Sequence, residues 1–429
     1  MQFNLLHPAD QIIMIMERIY RYGMTTTSGG NLSIIDDKGD IWISPASVDK
    51  GSLTRADVVC VKADGTIVGK HRPSSEFPFH QMMYKKRPDL KAVVHAHPPA
   101  LVAFSIARKI PNIQMLPNDH LVSGEVGMAD YALPGSALLG EEIASVFAQG
   151  IRTVMMENHG IVAGGVTLFE AFQAFETLEY TARLEINGRQ LGKINSLTVE
   201  QQEQARTEQH QISDEFQPAA VTSEEREVRR DMCAYIHRSY DQRLFTSTQG
   251  TFSQRLSDGS IIITPTGKDR KYLAPEDLVR VENGAKESGK VPSRSVKFHQ
   301  AIYDAQPDIH SIIIAHPPNI MAFAITDMAF DSRTIPESYI LLRNNPKVPF
   351  GATFLDMEQT AKLFVANTPM VIAENDCVIV TGSSMLNAFD RLEVAEYSAK
   401  AILAAQIIGD IIHIDEQKIK DIDVAFNLL

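Results

Sequence analysis

The chain carries the same domain twice, and this restricts its fold more than any other feature of the sequence. Similar segments recur in the same order in both halves, at a spacing of about 220 residues. The matching pairs include 28–33 with 248–253, 43–47 with 263–267, 73–80 with 292–299, and 95–99 with 314–318. A repeat of this length is a duplicated domain, because it is too long to be a solenoid unit. We predict a first domain at residues 1–195, a polar linker at 196–224 and a second domain at 225–429.

Composition and charge exclude several classes of function. The formal net charge is −12, with acidic and basic residues interspersed, which argues against binding to nucleic acid or to an anionic membrane surface. No apolar run reaches about 18 residues, so we expect no transmembrane helix. The start of the chain lacks the basic and apolar stretches of a signal peptide. The cysteines Cys60, Cys233 and Cys377 stand singly, so we expect free thiols and a cytoplasmic location.

Hydrophobic periodicity places both halves in the α/β class. Apolar positions at helical spacing predict a helix over residues 8–22, and a capping box at 167–170 predicts another that ends near residue 189. Ser74 is a suitable N-cap for a helix over 75–86. Further helices are predicted at 100–108 and 136–148, and strands at 32–35, 41–44, 57–62, 66–70, 92–97, 153–157 and 161–166.

The strand at 92–97 contains two histidines, His95 and His97. Side chains of a strand alternate between its faces, so these two imidazoles project to the same side. Such a pair suits one zinc or a similar divalent ion. A catalytic zinc usually takes three protein ligands, so the sequence must supply another ligand elsewhere.

Comparison of the two halves indicates where the rest of this site lies. Side chains that only pack a core should persist in both halves, whereas those of a lost site should change together. Three candidate positions change and one is kept: His95 becomes Ile314, His159 becomes Asp376, Glu76 becomes Ser295, and His97 keeps its counterpart His316. This pattern predicts one site in the first half, with His159 as third ligand and Glu76 as acid/base. By the same test His80 is interpreted as structural, because the matching position of the second half keeps a histidine, His299.

Three motifs of the first half, in this order and spacing, resemble the class II aldolase/adducin family: Pro-Ser-Ser-Glu at 73–76, Ala-Val-Val-His-Ala-His at 92–97 and Asn-His-Gly at 158–160. The resemblance covers residues 8–190 well and 225–405 more weakly. It implies two tandem α/β/α domains, each with a mainly antiparallel central sheet. It also implies Zn²⁺ on His95, His97 and His159, with Glu76 as the catalytic acid/base, and a degenerate, non-catalytic second copy.

In the sugar-phosphate members of this family, three loops hold a phosphate. Their counterparts here supply Ser28, Asn31, Ser47, Ser74 and Ser75. The second loop departs from the family, because Ser44-Pro45-Ala46-Ser47 lacks the glycine that lets backbone amides close on an oxyanion. At this point the substrate is either a phosphorylated sugar or another small, unphosphorylated compound or acid.

The resemblance implies a zinc-dependent lyase that cleaves a small sugar phosphate or a related hydroxy-keto compound through a metal-stabilised enediolate. Glu76 would move the proton on the reacting carbon. A sugar-phosphate epimerase and a keto-acid phosphate decarboxylase are alternatives on the same site, and manganese or cobalt could share the ligands. Candidates for a second acid/base are Asp119, His120 and Tyr131.

An alternative from another class of protein is an adducin-like interaction protein without catalytic activity. The second half fits this description, but the first half keeps all three histidines and Glu76, which favours an enzyme. Simple family members are tetramers with sites between subunits. We therefore expect a homo-oligomer, in which two chains form a pseudo-four-fold ring, and a stable monomer in a mass measurement would contradict this expectation.

Overall fold

A computed structural model describes residues 3–208 and 211–428. The chain divides into two compact units, Met1–Ile113 with Asn118–Arg183, and Gln114–Pro117 with Leu184–Leu429. Each unit contains one large β-sheet. This organisation confirms two tandem domains of α/β class.

The first unit is built on eight strands in the order β4-β3-β2-β1-β5-β8-β7-β6. The strands are β1 (Asn31–Ile35), β2 (Ile41–Ile43), β3 (Val59–Val61), β4 (Ile67–Val68), β5 (Ala92–Ala96), β6 (Val126–Ala129), β7 (Thr153–Met156) and β8 (Gly160–Gly165). The helices are α1 (Pro8–Arg21), α2 (Phe77–Lys86), α3 (Pro99–Ile106), α4 (Pro117–Ser123), α5 (Ala137–Phe147) and α6 (Leu168–Leu191), the last of which continues into the second unit. All neighbouring strands are antiparallel except β6 and β7.

The second unit has nine strands in the order β15-β16-β17-β14-β10-β11-β12-β13-β9. They are β9 (Glu215–Phe216), β10 (Thr251–Arg255), β11 (Ile261–Ile263), β12 (Val279–Glu282), β13 (Ala285–Glu287), β14 (Ser311–Ala315), β15 (Lys347–Val348), β16 (Met370–Ala373) and β17 (Val378–Gly382). The helices are α7 (Val199–Thr207), α8 (Ser223–Asp241), α9 (Val296–Ala305), α10 (Met321–Ala324), α11 (Pro336–Leu342), α12 (Met357–Ala361), α13 (Met385–Ile408) and α14 (Glu416–Ala425).

The two sheets share their central strand pairing residue by residue. Asn31 of β1 lies opposite His95 of β5, and Thr251 of β10 lies opposite Ile314 of β14. The same register aligns the sequence repeat, which confirms the duplication at the level of single side chains. Most strand pairs of the second sheet are antiparallel, as in the first.

The histidine strand β5 lies near the middle of the first sheet, and all five of its residues are buried. Burial on both faces requires that both faces of the strand are covered. On one face Val93 belongs to a core that also contains Phe79 of α2 and Ile143 of α5. Burial of an aromatic side chain such as Phe79 contributes about 1.5–3 kcal/mol. This packing holds α2 against the strand that carries His95.

Two local predictions differ from the structure. Helix α2 begins at Phe77, not at residue 75, and Ser74 is not its N-cap. Instead the Ser74 hydroxyl accepts the backbone N–H of Glu76 in a turn before the helix, at 3.3 Å. Helix α4 and strand β6 were also not predicted, because their short segments carry no sustained periodicity.

Among the described residues, no helix is both long and apolar enough to cross a membrane. All three cysteines are buried free thiols.

Candidate active site

Three histidines meet beside the end of β5. His95 lies in β5, His97 lies one residue beyond it, and His159 lies in the turn between β7 and β8. The Nε2 atoms of His95 and His97 are 3.1 Å apart, and the His159 ring centroid lies 5.1 Å from each of theirs. One ligand atom of each lies within 4.8 Å of the others, and no other such group of His, Cys, Asp or Glu occurs in residues 3–208 and 211–428.

A backbone contact orients His95 within this histidine group. The Nδ1 atom of His95 lies 2.9 Å from the Ile161 carbonyl oxygen, so Nδ1 carries the hydrogen and donates it. The lone pair of His95 therefore sits on Nε2, the atom nearest His97. Metal-binding histidines are commonly oriented in this way by a carbonyl acceptor.

The turn that presents His159 depends on its two neighbours. Asn158 has a φ of 52°, in the left-handed region that asparagine tolerates better than most residues. A Cβ on Gly160 would lie 2.6 Å from the Ala96 carbonyl oxygen and 2.7 Å from His97. The Asn-His-Gly motif is thus explained by backbone geometry, with glycine allowing β8 to approach the end of β5.

Glu76 completes the cluster from the start of α2. Its Oε2 lies 3.2 Å from His95 Nε2 and its Oε1 lies 3.4 Å from His159 Nε2. Asn31 Nδ2 donates a hydrogen bond to Oε2, at 2.7 Å. Burial opposes the charge of this carboxyl, but His95, His159 and the Asn31 amide outweigh it and hold the pKa of Glu76 below its usual range.

The histidines differ in their pKa shifts. Burial, with repulsion from the other imidazoles, lowers the pKa of His97 to about 3 and that of His159 to about 4. Both are therefore neutral at neutral pH, which is the form that binds metals. Burial also disfavours charge on His95, but the carboxylate of Glu76 outweighs it and raises the pKa of His95. Three imidazole donors beside a buried carboxylate fit a divalent cation of the zinc type.

The three loops predicted to hold a phosphate lie next to one another. The backbone N–H of Ala46 donates to Arg72, and Pro45 and Pro73 form a bridge, which joins the second loop to the third. The Lys50 N–H donates to the Thr27 carbonyl, which joins the second loop to the first. A Cβ on Gly29 would lie 3.1 Å from His97 Nδ1, so the first loop lies against the histidines.

The predicted phosphate residues occupy different environments. Ser28, Ser47 and Ser75 are exposed, whereas Ser74 and Asn31 are buried. The Asn31 side chain bonds Glu76 and His80.

The second loop keeps the backbone conformation of its counterpart in the second half, although it lacks the glycine of that counterpart. Ser47 adopts a φ of 55°, close to the 67° of Gly267 at the same position in the second half.

Lys50 is a feature that the sequence reasoning missed. It is 2% exposed, and its ammonium donates to the Pro45 carbonyl oxygen at 2.5 Å. Burial lowers its pKa to about 8. Among the described residues no carboxylate forms an ion pair with this ammonium, and the nearby charge of Asp49 only partly offsets the effect of burial. Comparison of the two halves offered a signal, because Arg270 stands at the matching position.

None of the three candidates for a second acid/base joins this cluster by a hydrogen bond or ion pair within the described residues. Asp119 is completely buried in α4, and burial raises its pKa well above the usual value. His120 pairs with Glu125 at 3.0 Å. The Tyr131 side chain is exposed, and only its backbone N–H is bonded, to Glu157 at 3.3 Å.

The matching region of the second half has a different polar arrangement. Thr251 Oγ1, at the position of Asn31, bonds Ser293 Oγ at 2.7 Å, and Ser293 in turn bonds Ser295 at 3.1 Å. Asp376 accepts a hydrogen bond from Thr353, at 2.6 Å. His316 is half-buried, and burial of its imidazole lowers its pKa to about 4. The described residues of this half therefore contain no second metal cluster.

Comparison with known proteins gives two family matches in this chain. The profile described as the class II aldolase and adducin N-terminal domain matches residues 10–186 and again residues 230–403. The two matched regions together span most of the chain, and each contains one copy of the repeat.

Individual relatives each match less than half of this chain. A 3-oxo-tetronate 4-phosphate decarboxylase of Haemophilus influenzae is 31% identical over 179 residues, which cover 41% of this chain and 85% of the relative. A 5-deoxy-D-ribulose 1-phosphate aldolase of Bacillus thuringiensis is 28% identical over 200 residues, 45% of this chain and 91% of the relative. An L-fuculose phosphate aldolase of Methanocaldococcus jannaschii is 32% identical over 178 residues, 41% of this chain and 94% of the relative.

Proposed function

Since the chain belongs to the class II aldolase and adducin N-terminal domain family, we propose that its first half is a zinc-dependent lyase that cleaves a small sugar phosphate. The observation that carries this proposal is the contact of Glu76 with two of three clustered histidines. This arrangement supports Glu76 as a buried acid/base beside the three histidines as metal ligands. The relatives named aldolases act on compounds of this substrate class.

The proposed chemistry assigns separate tasks to these residues. Cleavage of a carbon–carbon bond next to a carbonyl leaves charge on oxygen and brings a proton to carbon. A divalent cation held by His95, His97 and His159 would supply positive charge at the substrate oxygens. Glu76 Oε1 forms no hydrogen bond among the described residues and only faces His159 Nε2 at 3.4 Å, so this oxygen would hold the transferred proton.

The phosphate would be held by the three adjoining loops. Ser28, Ser47 and Ser75 are exposed there, and the buried ammonium of Lys50 lies beneath the second loop. A phosphate would neutralise the Lys50 charge, which has no carboxylate partner in the described chain. This charge supports a phosphorylated substrate over a neutral one.

A second candidate is decarboxylation of a keto-acid phosphate. It is favoured by the 31% identity to a protein named 3-oxo-tetronate 4-phosphate decarboxylase. The same metal ligands and Glu76 would serve, because loss of carbon dioxide also leaves charge on oxygen and requires a proton at carbon.

The first test is the amount of metal bound per purified chain. We expect one equivalent in the wild type, none in His95→Ala, and one in the matched control His316→Ala. About two equivalents in the wild type would assign a second site to the second half. Absence of bound metal, even after supplementation, would favour the adducin-like interaction protein.

The second test separates the reactions. Ketose phosphates and keto-acid phosphates are incubated with the metal-loaded chain, and aldehyde, carbon dioxide and epimer are measured. Aldehyde release supports the lyase, whereas carbon dioxide or an epimer supports an alternative. If none of the compounds gave a product, this result would contradict the proposal that the protein is an enzyme of this class.

A further inference from the structure

A buried chain of hydrogen bonds leads from the core to Glu76. Tyr84 Oη lies 2.7 Å from Ser33 Oγ, which lies 2.7 Å from His80 Nδ1. His80 Nε2 lies 2.5 Å from Asn31 Oδ1, and Asn31 Nδ2 lies 2.7 Å from Glu76 Oε2. All five side chains belong to buried residues.

The secondary structure explains how these five side chains meet. Asn31 and Ser33 are two residues apart in β1, so they project from the same face of the strand. Glu76, His80 and Tyr84 are four residues apart along α2 and its N-cap, so they lie on one face of the helix. The two rows have similar spacing and interlock, with each strand residue bonded to two helix residues.

The directions of the hydrogen bonds follow from the charge of Glu76. A carboxylate only accepts, so Asn31 must present its amide N–H to Glu76 and its Oδ1 to His80. His80 must then donate from Nε2 and accept at Nδ1, and the Ser33 hydroxyl must donate to Nδ1. The Tyr84 hydroxyl donates to Ser33. In every hydrogen bond of the series, the donor therefore lies on the side away from Glu76 and the acceptor on the side toward it.

The second half contains the same series of hydrogen bonds, except for the last two. Ser253 Oγ bonds His299 Nδ1 at 2.7 Å and Tyr303 Oη at 2.8 Å. At the next position Thr251 bonds Ser293 instead, and His299 Nε2 has no hydrogen-bond partner among the described residues. The core part of the network thus persists where Glu76 is absent, and only the connection to the carboxylate differs.

We propose that Ser33, His80 and Tyr84 are positioning residues that act through Asn31 on Glu76. They hold the Asn31 amide so that it engages Oε2, which leaves Oε1 as the oxygen that transfers the proton. This inference rests on the proposed function and revises the interpretation of His80 as structural alone. In the first half the His80 imidazole forms a second hydrogen bond, to Asn31, which its counterpart His299 lacks among the described residues.

The test uses matched substitutions in the two halves. His80→Leu and Tyr84→Phe remove the network, His80→Gln restores a donor toward Asn31, and His299→Leu and Tyr303→Phe are the controls. We expect kcat to fall about 10- to 100-fold in His80→Leu, as is typical when an orienting partner of a catalytic group is lost. Tyr84→Phe should lower kcat less, because Ser33 can still donate to His80. KM should stay near the wild-type value, His80→Gln should recover part of kcat, and the controls should keep full kcat.

Two outcomes of these assays overturn the proposal. One is wild-type kcat in both His80→Leu and Tyr84→Phe while Glu76→Gln is inactive. The other is an equal loss in His80→Leu and His299→Leu, which assigns the effect to folding. Equal activity of Glu76→Gln and the wild type contradicts the proposed function instead.

A measurement independent of activity tests the arrangement itself. In the full chain, nuclear magnetic resonance of the histidine side chains should show a His80 Nε2–H that exchanges slowly with water. Asn31→Thr, which introduces the residue type of the second half, should abolish this protection. A His80 ring protonated at Nδ1 instead, or protection unchanged in Asn31→Thr, would overturn the proposal even if no substrate is found.

Discussion

The Oε2 atom of Glu76 lies 3.2 Å from Nε2 of His95, a histidine whose other ring nitrogen is bonded to a backbone carbonyl. The proposed acid/base and a proposed metal ligand thus lie in direct contact, and both belong to buried residues. A cation bound to His95 would lie close to this carboxylate and stabilise its charge. We therefore expect metal binding and proton transfer to depend on this same pair of residues.

Replacement of Glu76 by Gln should separate these two roles. The substitution keeps the shape of the side chain and removes its proton-transfer group, so we expect kcat to fall about 10²- to 10⁴-fold. Bound metal should stay at one equivalent, because the three histidines remain. The measurement is steady-state kinetics with metal analysis of the same samples, and loss of the metal would assign Glu76 a ligand role.

Replacement of Lys50 by Met should weaken binding of phosphorylated compounds. The substitution keeps the buried volume and removes the charge beneath the predicted phosphate loops. We expect KM for the phosphorylated substrate to rise about tenfold, the equivalent of about 1.4 kcal/mol. Inhibition by inorganic phosphate should weaken in parallel. An equal effect on an unphosphorylated analogue would show that Lys50 only supports the loop.

Replacement of Gly160 by Ala should disturb the metal site through the backbone. The added Cβ would lie 2.6 Å from the Ala96 carbonyl oxygen and 2.7 Å from His97. We expect the metal affinity to fall about 10- to 100-fold, as for loss of a group that orients a ligand. Cys377→Ala at the matching position of the second half is the control and should leave the affinity unchanged. Titration with a chelator measures both.

Replacement of His299 by Gln should reduce the loss of stability in acid. Burial lowers the pKa of His299 to about 3 from an ordinary 6.5, so the unfolded chain binds the proton more readily. The contribution of neutral His299 to the free energy of unfolding is fully present above about pH 6.5. It declines as the pH falls toward 3, by about 1.4 kcal/mol per pH unit. The buried carboxyl of Asp119, whose pKa is raised, acts in the opposite direction.

Urea unfolding at several pH values between 4 and 7 measures this effect. The difference in unfolding free energy between wild type and His299→Gln should change with pH, because the Asp119 contribution is common to both chains and cancels. A difference that is independent of pH would contradict the neutral, buried state of His299.

Part of the fold and site could be predicted from local sequence. The duplication was visible because motifs recur in order, and His95 and His97 shared a face because strand side chains alternate. The helix over residues 8–22 was predicted nearly to its ends, Pro8–Arg21, since its apolar positions have clear helical spacing. Helix α4 was missed, because a segment this short carries little periodicity.

The sequence by itself determined the composition of the site, namely which half keeps His95, His159 and Glu76, because these side chains change together between two copies of one domain. Only the tertiary structure decided how they are held. Asn31 lies between His80 and Glu76, and Lys50 is buried beneath the loops, because β1, α2 and the loops pack together. Such contacts join residues far apart in the chain, and no local pattern records which partner a buried polar group will find.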